Sequence, residues 1–303
     1  MATASIAAIV CRRYSTAIHM LTDVIENAKI GQIWNILRFS VFEISEIFNM
    51  ENISGTVNKA IDILEIFLQK EGEFRLTELA NLTGMDRATT YRLASTLVKR
   101  RFLRQPKKNG KYSLGLKMID CSFAIRRNLK FIDLAYLYLG KLNSAQNAAV
   151  NLTILDEDKS LVIEEIGISS RGLPMGTPVA KRLPLHATAC GKVLLASMSE
   201  QERKAFYSRN ELKSFTSDTI INVIALESEL DKISKEGVAF DLEEYKSGQR
   251  AIAAPIYDGN GRVVAAGSIV VPAARSNSEA ICGLAKAIKN CTLELSQAIK
   301  QQG

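Results

Sequence analysis

A histidine and a cysteine four residues apart, His186 and Cys190, are the side chains whose types could do covalent chemistry. A thiolate activated by an imidazole is a nucleophile. Both lie at the start of a predicted helix, Ala187–Met198, where one helical turn separates them, and no third residue that would orient the histidine is evident. One interpretation of this chain is a small-molecule enzyme that uses Cys190 or Asp241. In this interpretation, the N-terminal helices are a protein-interaction module.

The same helix start offers a binding chemistry. The small residues Ala189, Cys190 and Gly191 would let a ligand approach their backbone N–H groups, at the positive end of the helix dipole. Tight packing of a helix N-terminus explains the same small residues equally well. The segment does not match a phosphate-binding GxxxxGK loop, since His186 stands where a glycine is required.

The acidic segment Phe240–Arg250 is the second candidate for a binding site. Asp241 lies near its beginning and Arg250 opens a predicted strand, so both side chains could line a pocket for a small polar molecule. Acidic runs of this kind are more often solvated loop charges. Both interpretations are compatible with the sequence.

Basic and hydroxyl side chains cover one side of a predicted helix-turn-helix, Arg75–Arg101. Gly84 can take the positive φ of a sharp turn, and Asp86 can cap the second helix. A second helix of this kind enters a DNA major groove, whereas a helical hairpin in an ordinary core is the plainer alternative. The residues expected to contact DNA on this helix are Arg87, Thr89, Thr90, Tyr91, Arg92 and Ser95.

A basic hairpin follows these helices. The strands Phe102-Leu103 and Tyr112–Leu114 are predicted to flank a turn that contains Asn109-Gly110, a strong hairpin signal. The hairpin tip carries lysines that suit phosphate contacts, which give affinity without reading sequence. These are Lys107, Lys108 and Lys111. Two helices followed by such a hairpin indicate a winged helix.

The distribution of charge supports a polyanionic partner. The net charge is +7, and residues 86–117 hold ten basic side chains against one acidic side chain, Asp86. A solvated surface would mix its signs, so this cluster favours double-stranded DNA as the partner. Five scattered cysteines and two histidines argue against a disulfide framework or a zinc site, so neither metal nor cofactor is expected and a cytoplasmic location is the simpler assumption. No apolar run reaches the length of a membrane span.

The chain is predicted to form two α+β domains behind an extension. Residues 1–50 have helical periodicity and are either an extra helix or an artefact of start-site choice before Met50. The predicted domains are a winged helix-turn-helix at 51–115, a linker helix at 116–128, and a second domain at 129–303 with one antiparallel sheet flanked by helices. Strands are expected at Ala149–Leu155, Ser160–Ile166, Val238–Asp241, Arg250–Tyr257 and Arg262–Val271, and helices at Phe131–Asn147, Ala187–Met198, Glu200–Tyr207, Val223–Glu236 and Asn277–Ile299.

About four-fifths of the chain resembles the IclR family of transcriptional regulators. The matching stretches stand in the family's order and include LTELANLTGMDRATTYRLASTL, YSLG, LPLHATACGKVLLA, SFTSDTI and GVAFDLEEYKSGQRAIAAPIYDGNGRVVAAGSIVVP. The resemblance implies an N-terminal winged helix and a GAF-like effector domain. It also implies operator binding as a homodimer or dimer of dimers, under the control of a small organic acid or aromatic metabolite, more often as a repressor than as an activator.

The resemblance also implies positions for effector contacts. These are the helix start at Ala189 and Cys190, then Asp241, and the strand positions Ala251, Ser268 and Val270. Alanine at 251 stands where cysteine is common in the family, and valine at 270 where serine can occur, so two polar contacts are lost. A DNA-binding protein without a role in transcription, such as an architectural protein, is a third interpretation.

Overall fold

The computed structural model describes residues 54–167 and 177–302, which divide into two compact units between Ser122 and Phe123. Unit 1 holds the predicted DNA-binding region and unit 2 the predicted effector-binding region. The division falls inside the predicted linker helix. The predicted helix in residues 1–50 lies outside the described residues. Within the described residues no helix is long and apolar enough to cross a membrane.

Unit 1 is a three-helix core with a small sheet. Its first three helices pack around buried apolar residues such as Ile63, Leu79 and Leu93. The small sheet pairs Leu103 with Leu114, and Phe74 forms a further bridge to Tyr112 that the sequence did not indicate. The elements are α1 Gly55–Gln69, α2 Leu76–Thr83, α3 Arg87–Lys99, β1 Leu103–Arg104, β2 Ser113–Leu114 and α4 Lys117–Asn128, which continues past Ser122.

The connection between α2 and α3 has the predicted chemistry. Gly84 ends α2 with φ of 69°, a left-handed conformation that suits glycine. Asp86 caps α3, and its Oδ1 accepts a hydrogen bond from the Thr89 backbone N–H at 2.9 Å. That bond is the main reason that the pKa of Asp86 is lowered. The turn and the cap together fix where the exposed face of α3 begins.

The wing differs from the predicted tight hairpin. Its reversal lies at Lys107–Gly110, where the Gly110 N–H donates to the Lys107 carbonyl at 2.8 Å and Asn109 has φ of 62°. The paired strand residues are further from the turn than a two-residue hairpin requires. The Asn-Gly pair therefore supplies the positive φ of a longer loop.

Unit 2 is built on one six-stranded sheet in which every neighbouring pair of strands is antiparallel. The predicted strands and helices are present within a few residues. The elements are α5 Phe131–Gln146, β3 Ala149–Asp156, β4 Lys159–Ile166, β5 Arg182–Pro184, α6 Ala189–Ala196, α7 Glu200–Arg209, α8 Val223–Glu236, β6 Ala239–Leu242, β7 Gln249–Tyr257, β8 Val263–Pro272, a 3₁₀ helix Ala273–Arg275 and α9 Ser278–Gln302. The strand order in the sheet is β5-β4-β3-β8-β7-β6, and the edge strand β5, with three residues, is too short for a periodic signal.

Helices cover both faces of this sheet. One apolar core joins alternate strand residues such as Ile252 and Ile269 to α5 and α9. The other joins the intervening residues, such as Ala253 and Ala266, to α6, α7 and α8. Because both faces are buried, Ala149–Thr153 is buried continuously, without the alternation of a half-exposed strand.

Candidate functional site

The outer face of α3 carries the predicted DNA-contacting side chains. Arg87 and Arg92 are exposed, and Tyr91 is 57% exposed. Thr89 and Ser95 are partly exposed. An exposed face with two arginines and a tyrosine can bind phosphates and base edges in a major groove.

Thr90 does not belong to this face. It is fully buried, and its hydroxyl donates to the Asp86 carbonyl at 2.8 Å. Helical spacing places Thr90 in line with Leu93 and Ala94, which are buried on the same side of α3. The prediction that Thr90 contacts DNA is therefore incompatible with this fold.

The wing presents its lysines to solvent. Lys107, Lys108 and Lys111 are all exposed. They follow α3 directly along the chain, so a single unit combines a groove-sized helix with a cationic loop. That combination can bind one DNA duplex through both bases and phosphates.

Unit 2 contains a cavity of about 180 Å³ between its sheet and the start of α6. Its floor is a row of paired strand positions, in which Asp241 lies opposite Ala251 and Ala251 lies opposite Val270. The next position along contributes Ser268, which pairs with Asn151. The helix start contributes Ala189 and Cys190 to the wall. Six of the seven predicted effector-binding residues thus border one cavity: Ala189, Cys190, Asp241, Ala251, Ser268 and Val270.

The start of α6 is tightly packed. Thr188 caps the helix, and its hydroxyl oxygen accepts a hydrogen bond from the Gly191 N–H at 3.2 Å. A Cβ on Gly191 would lie 2.5 Å from the Leu185 carbonyl oxygen, so close packing requires the glycine. Of the three amides predicted to bind an anion, that of Gly191 is therefore already bonded.

Asp241 is a buried acid at one side of the cavity. Its Oδ1 accepts hydrogen bonds from the backbone N–H groups of Glu244 at 2.8 Å and Tyr245 at 3.2 Å. Burial is the main cause that raises the pKa of Asp241 to about 7. The charge of Glu244 raises this pKa further, whereas the two N–H groups and Lys192 lower it. The site therefore holds a carboxyl group that can exchange its proton near neutral pH.

We expect Asp241 to make the unliganded domain less stable as pH rises from about 4 to about 7. In this window the folded state keeps a proton that the unfolded state has lost, so stability falls with rising pH by up to about 1.4 kcal/mol per unit. Denaturant titrations of the wild type and Asp241→Asn across this range measure the effect. The difference in unfolding free energy between the two proteins should change with pH, and a constant difference would contradict the assignment.

Arg250 does not line this cavity. Neighbouring strand residues point to opposite faces of the sheet, so Arg250 faces away from the side that Ala251 shares with the cavity. Its guanidinium pairs with Glu243 at 3.1 Å and donates to the Ser276 carbonyl at 2.7 Å. The prediction that Arg250 and Asp241 share a pocket is therefore wrong, and Arg250 instead ties the loop after β6 to the chain before α9.

The cysteine and histidine are not arranged for nucleophilic catalysis. Cys190 is buried with its Sγ 3.9 Å from the Ala266 carbonyl, and burial raises the pKa of the thiol. The His186 ring is 2.9 Å from the Lys213 carbonyl, and burial lowers its pKa. Burial therefore disfavours the thiolate that a nucleophilic mechanism needs.

Two polar residues of this region gave no signal in the sequence. Lys192 is 1% exposed, and its Nζ lies 2.6 Å from Glu244 Oε1 and 4.0 Å from Glu229. Asn151 is 3% exposed and lines the cavity. Lys192 holds the loop that follows Asp241, because Glu244 lies in that loop.

Two family profiles match the two units separately. The IclR helix-turn-helix domain matches residues 56–107, and the bacterial transcriptional regulator IclR C-terminal domain matches residues 124–297. The transcriptional regulator XynR of Escherichia coli is 30% identical, over 82% of this chain and 98% of that protein. The acetate operon repressor of Salmonella typhimurium is 30% identical, over 78% of this chain and 89% of that protein.

Solved structures share the two-domain fold. The IclR protein of Thermotoga maritima has 29% sequence identity and a TM-score of 0.69, over 81% of this chain and 98% of its own. An IclR homologue of Microbacterium hydrocarbonoxydans, solved with 4-hydroxybenzoate, has 19% identity and a TM-score of 0.73, over 82% of this chain and 100% of its own, and supports the fold alone. These likenesses confirm the winged helix-turn-helix and α+β architecture, and show that the chain belongs to the IclR family of DNA-binding transcriptional regulators, which are not enzymes.

Proposed function

We propose that this regulator represses a metabolic operon and that a small organic acid or aromatic metabolite in the unit 2 cavity controls its operator binding. The observation that supports this proposal is that six predicted effector-binding residues line one cavity. One relative, from Salmonella typhimurium, is named as an operon repressor, and one solved homologue holds 4-hydroxybenzoate. The domains we assign are the DNA-binding residues 51–115, the linker helix 116–128 and the effector-binding residues 129–303.

We propose that the exposed face of α3 enters the major groove while the wing contacts phosphates. The exposed guanidinium groups of Arg87 and Arg92 and the ring of Tyr91 support the first assignment. The exposed wing lysines, Lys107, Lys108 and Lys111, support the second. Thr89 and Ser95, on the partly exposed flank of α3, complete this surface.

We also propose that the regulator acts in the cytoplasm as a homodimer or a dimer of dimers. Large apolar side chains of α4 are exposed in the single chain, including Phe123 and Ile125, each 60% exposed. A second copy that covers them would bring two recognition helices onto one operator. Half-sites one helical turn of DNA apart, or a multiple of it, would then be expected.

Footprinting and a ligand screen test this function together. A discrete, palindromic protected site upstream of metabolic genes supports the regulator, and uniform coverage of DNA contradicts it.

For the effector, the full chain is heated with small carboxylates and aromatic acids, because a ligand that binds the folded state raises its melting temperature. A carboxylate that raises the melting temperature and also releases the footprint supports control through the cavity.

We expect Lys108→Ala to weaken binding to every DNA sequence by a similar factor. A phosphate contact adds affinity but no sequence preference, so the slope of log affinity against log salt should become shallower by about 0.9. Fluorescence anisotropy at several salt concentrations, with operator and scrambled duplexes, measures both effects. Lys232→Ala, which removes an exposed lysine from unit 2, is the control. A loss confined to the operator would show that Lys108 contacts bases.

A further inference from the structure

The side-chain oxygen of Asn151 is buried without a hydrogen-bond partner in the described part of the chain. Asn151 lies on β3, is 3% exposed, and lines the cavity between the sheet and α6. Buried polar groups of native proteins nearly always have a partner, since an unmatched one loses its hydration without compensation. An unmatched acceptor oxygen in a cavity wall indicates that the missing donor belongs to the cavity's occupant.

Three neighbouring hydroxyl side chains already have partners within the protein. The hydroxyl groups of Ser268 and Thr153 interact with the Cys190 thiol. The Thr188 hydroxyl donates to the Pro184 carbonyl at 2.9 Å. Among the buried side-chain oxygen and nitrogen atoms of this wall, within the described residues, the Asn151 oxygen is the one that lacks a partner.

The charge and the size of the cavity restrict that partner further. Lys181 and Lys246 border the cavity, and the Lys181 ammonium lies 5.8 Å from the centre of the Tyr245 ring. With the start of α6 they make one side of the cavity favourable for an anion. The volume is about 180 Å³. A protein cavity of about 150 Å³ accommodates benzene, so the occupant is a single ring or a short chain.

We propose that the effector is a small hydroxycarboxylate and that Asn151 selects it by hydrogen-bonding the hydroxyl group. The unmatched Asn151 oxygen accepts hydrogen bonds, and a hydroxyl group can donate one to it. An ionised carboxylate group has no hydrogen to donate, so a simple carboxylate without the hydroxyl leaves this oxygen unmatched. This inference rests on the proposed role of the cavity as the effector site.

Matched pairs of ligands test the selection. Lactate is compared with propionate, and 4-hydroxybenzoate with benzoate, by calorimetric titration of the full chain. In at least one pair the hydroxylated member should bind tighter by about tenfold or more, because a site built to bond a hydroxyl rejects the analogue that lacks it. Asn151→Ala and Asn151→Val should both reduce this ratio to about one, because neither side chain can hydrogen-bond.

A control and a second readout separate ligand selection from a structural role. Val162→Ala removes an apolar lining group, so it should weaken both members of a pair and keep their ratio. Asn151→Val should also raise the melting temperature of the unliganded protein, since it removes a buried unmatched group from a strand.

The possible outcomes are distinguishable. Equal binding of both members of each pair by the wild type overturns the inference and leaves the cavity as an effector site. Retention of the hydroxyl preference by Asn151→Val overturns it too, and a lowered melting temperature in that variant would show that the amide has a structural role. If no carboxylate of either kind binds, the effector part of the proposed function fails together with the inference.

Discussion

Replacing Lys192 by methionine is expected to lower the free energy of unfolding of unit 2 by about 3–5 kcal/mol. Lys192 lies on α6, 1% exposed, and its ammonium pairs with the carboxylate of Glu244. Burial already raises the pKa of Glu244, and the positive charge of Lys192 opposes that shift. Without the lysine, the buried Glu244 carboxyl group either stays charged with no counter-charge or takes up a proton.

The Lys192→Met substitution should also affect the cavity, because Glu244 lies in the same loop as a residue that lines it. The backbone N–H groups of Glu244 and Tyr245 hold the Asp241 carboxyl group, and Tyr245 lines the cavity. Lys192→Met should therefore weaken ligand binding as well as stability. Hydrogen exchange of the backbone amides in α6 and β6 of the full chain reports the local unfolding free energy.

Lys204→Met is a matched control for this experiment. Lys204 pairs with Glu200 one helical turn away, but both side chains are more than 70% exposed. Water and salt screen an exposed pair of this kind, so it contributes little to stability. The double variant Lys192→Met/Glu244→Leu should recover much of the loss, because it removes the unpaired charge along with the lysine. A loss for Lys192→Met no larger than for Lys204→Met would show that the buried pair does not hold the loop.

Local patterns were sufficient to predict most elements of the fold. The helix at Val223–Glu236 has the predicted bounds, because Asn222 caps its start and Gly237 ends it. Gly84 and Asp86 set the turn before α3 in the same way. These signals lie within a few residues of the feature that they determine, so the sequence carries them directly.

Contacts that depend on the whole fold were harder to predict. The hydroxyl group of Thr90 favours an exposed position, but helical spacing from Leu93 and Ala94 places this residue on the buried face. Lys192 carries no local signal, since its partner Glu244 lies 52 residues further along the chain. Asn151 lies in a strand that is buried on both faces, where the usual alternation of polar and apolar residues is absent.

The second large effect concerns DNA. We expect Arg92→Ala to weaken operator binding by about 1–3 kcal/mol and to relax specificity at one base pair. Arg92 is exposed on the outer face of α3, and no ion pair occupies its guanidinium within the described residues. A free guanidinium on a recognition helix can bond a guanine through two hydrogen bonds. Anisotropy titrations with the operator and single-base variants measure the affinity and the base preference.

Two further variants distinguish base recognition from simple attraction to DNA. Arg92→Lys keeps the positive charge but loses the planar fork of two donors, so it should retain the salt dependence and lose the base preference. Arg262→Ala removes an exposed arginine from unit 2 and lowers the net charge equally, so it should leave operator binding almost unchanged. If Arg92→Lys binds the operator with full specificity, Arg92 contacts phosphate, and the bases are read by other side chains of α3.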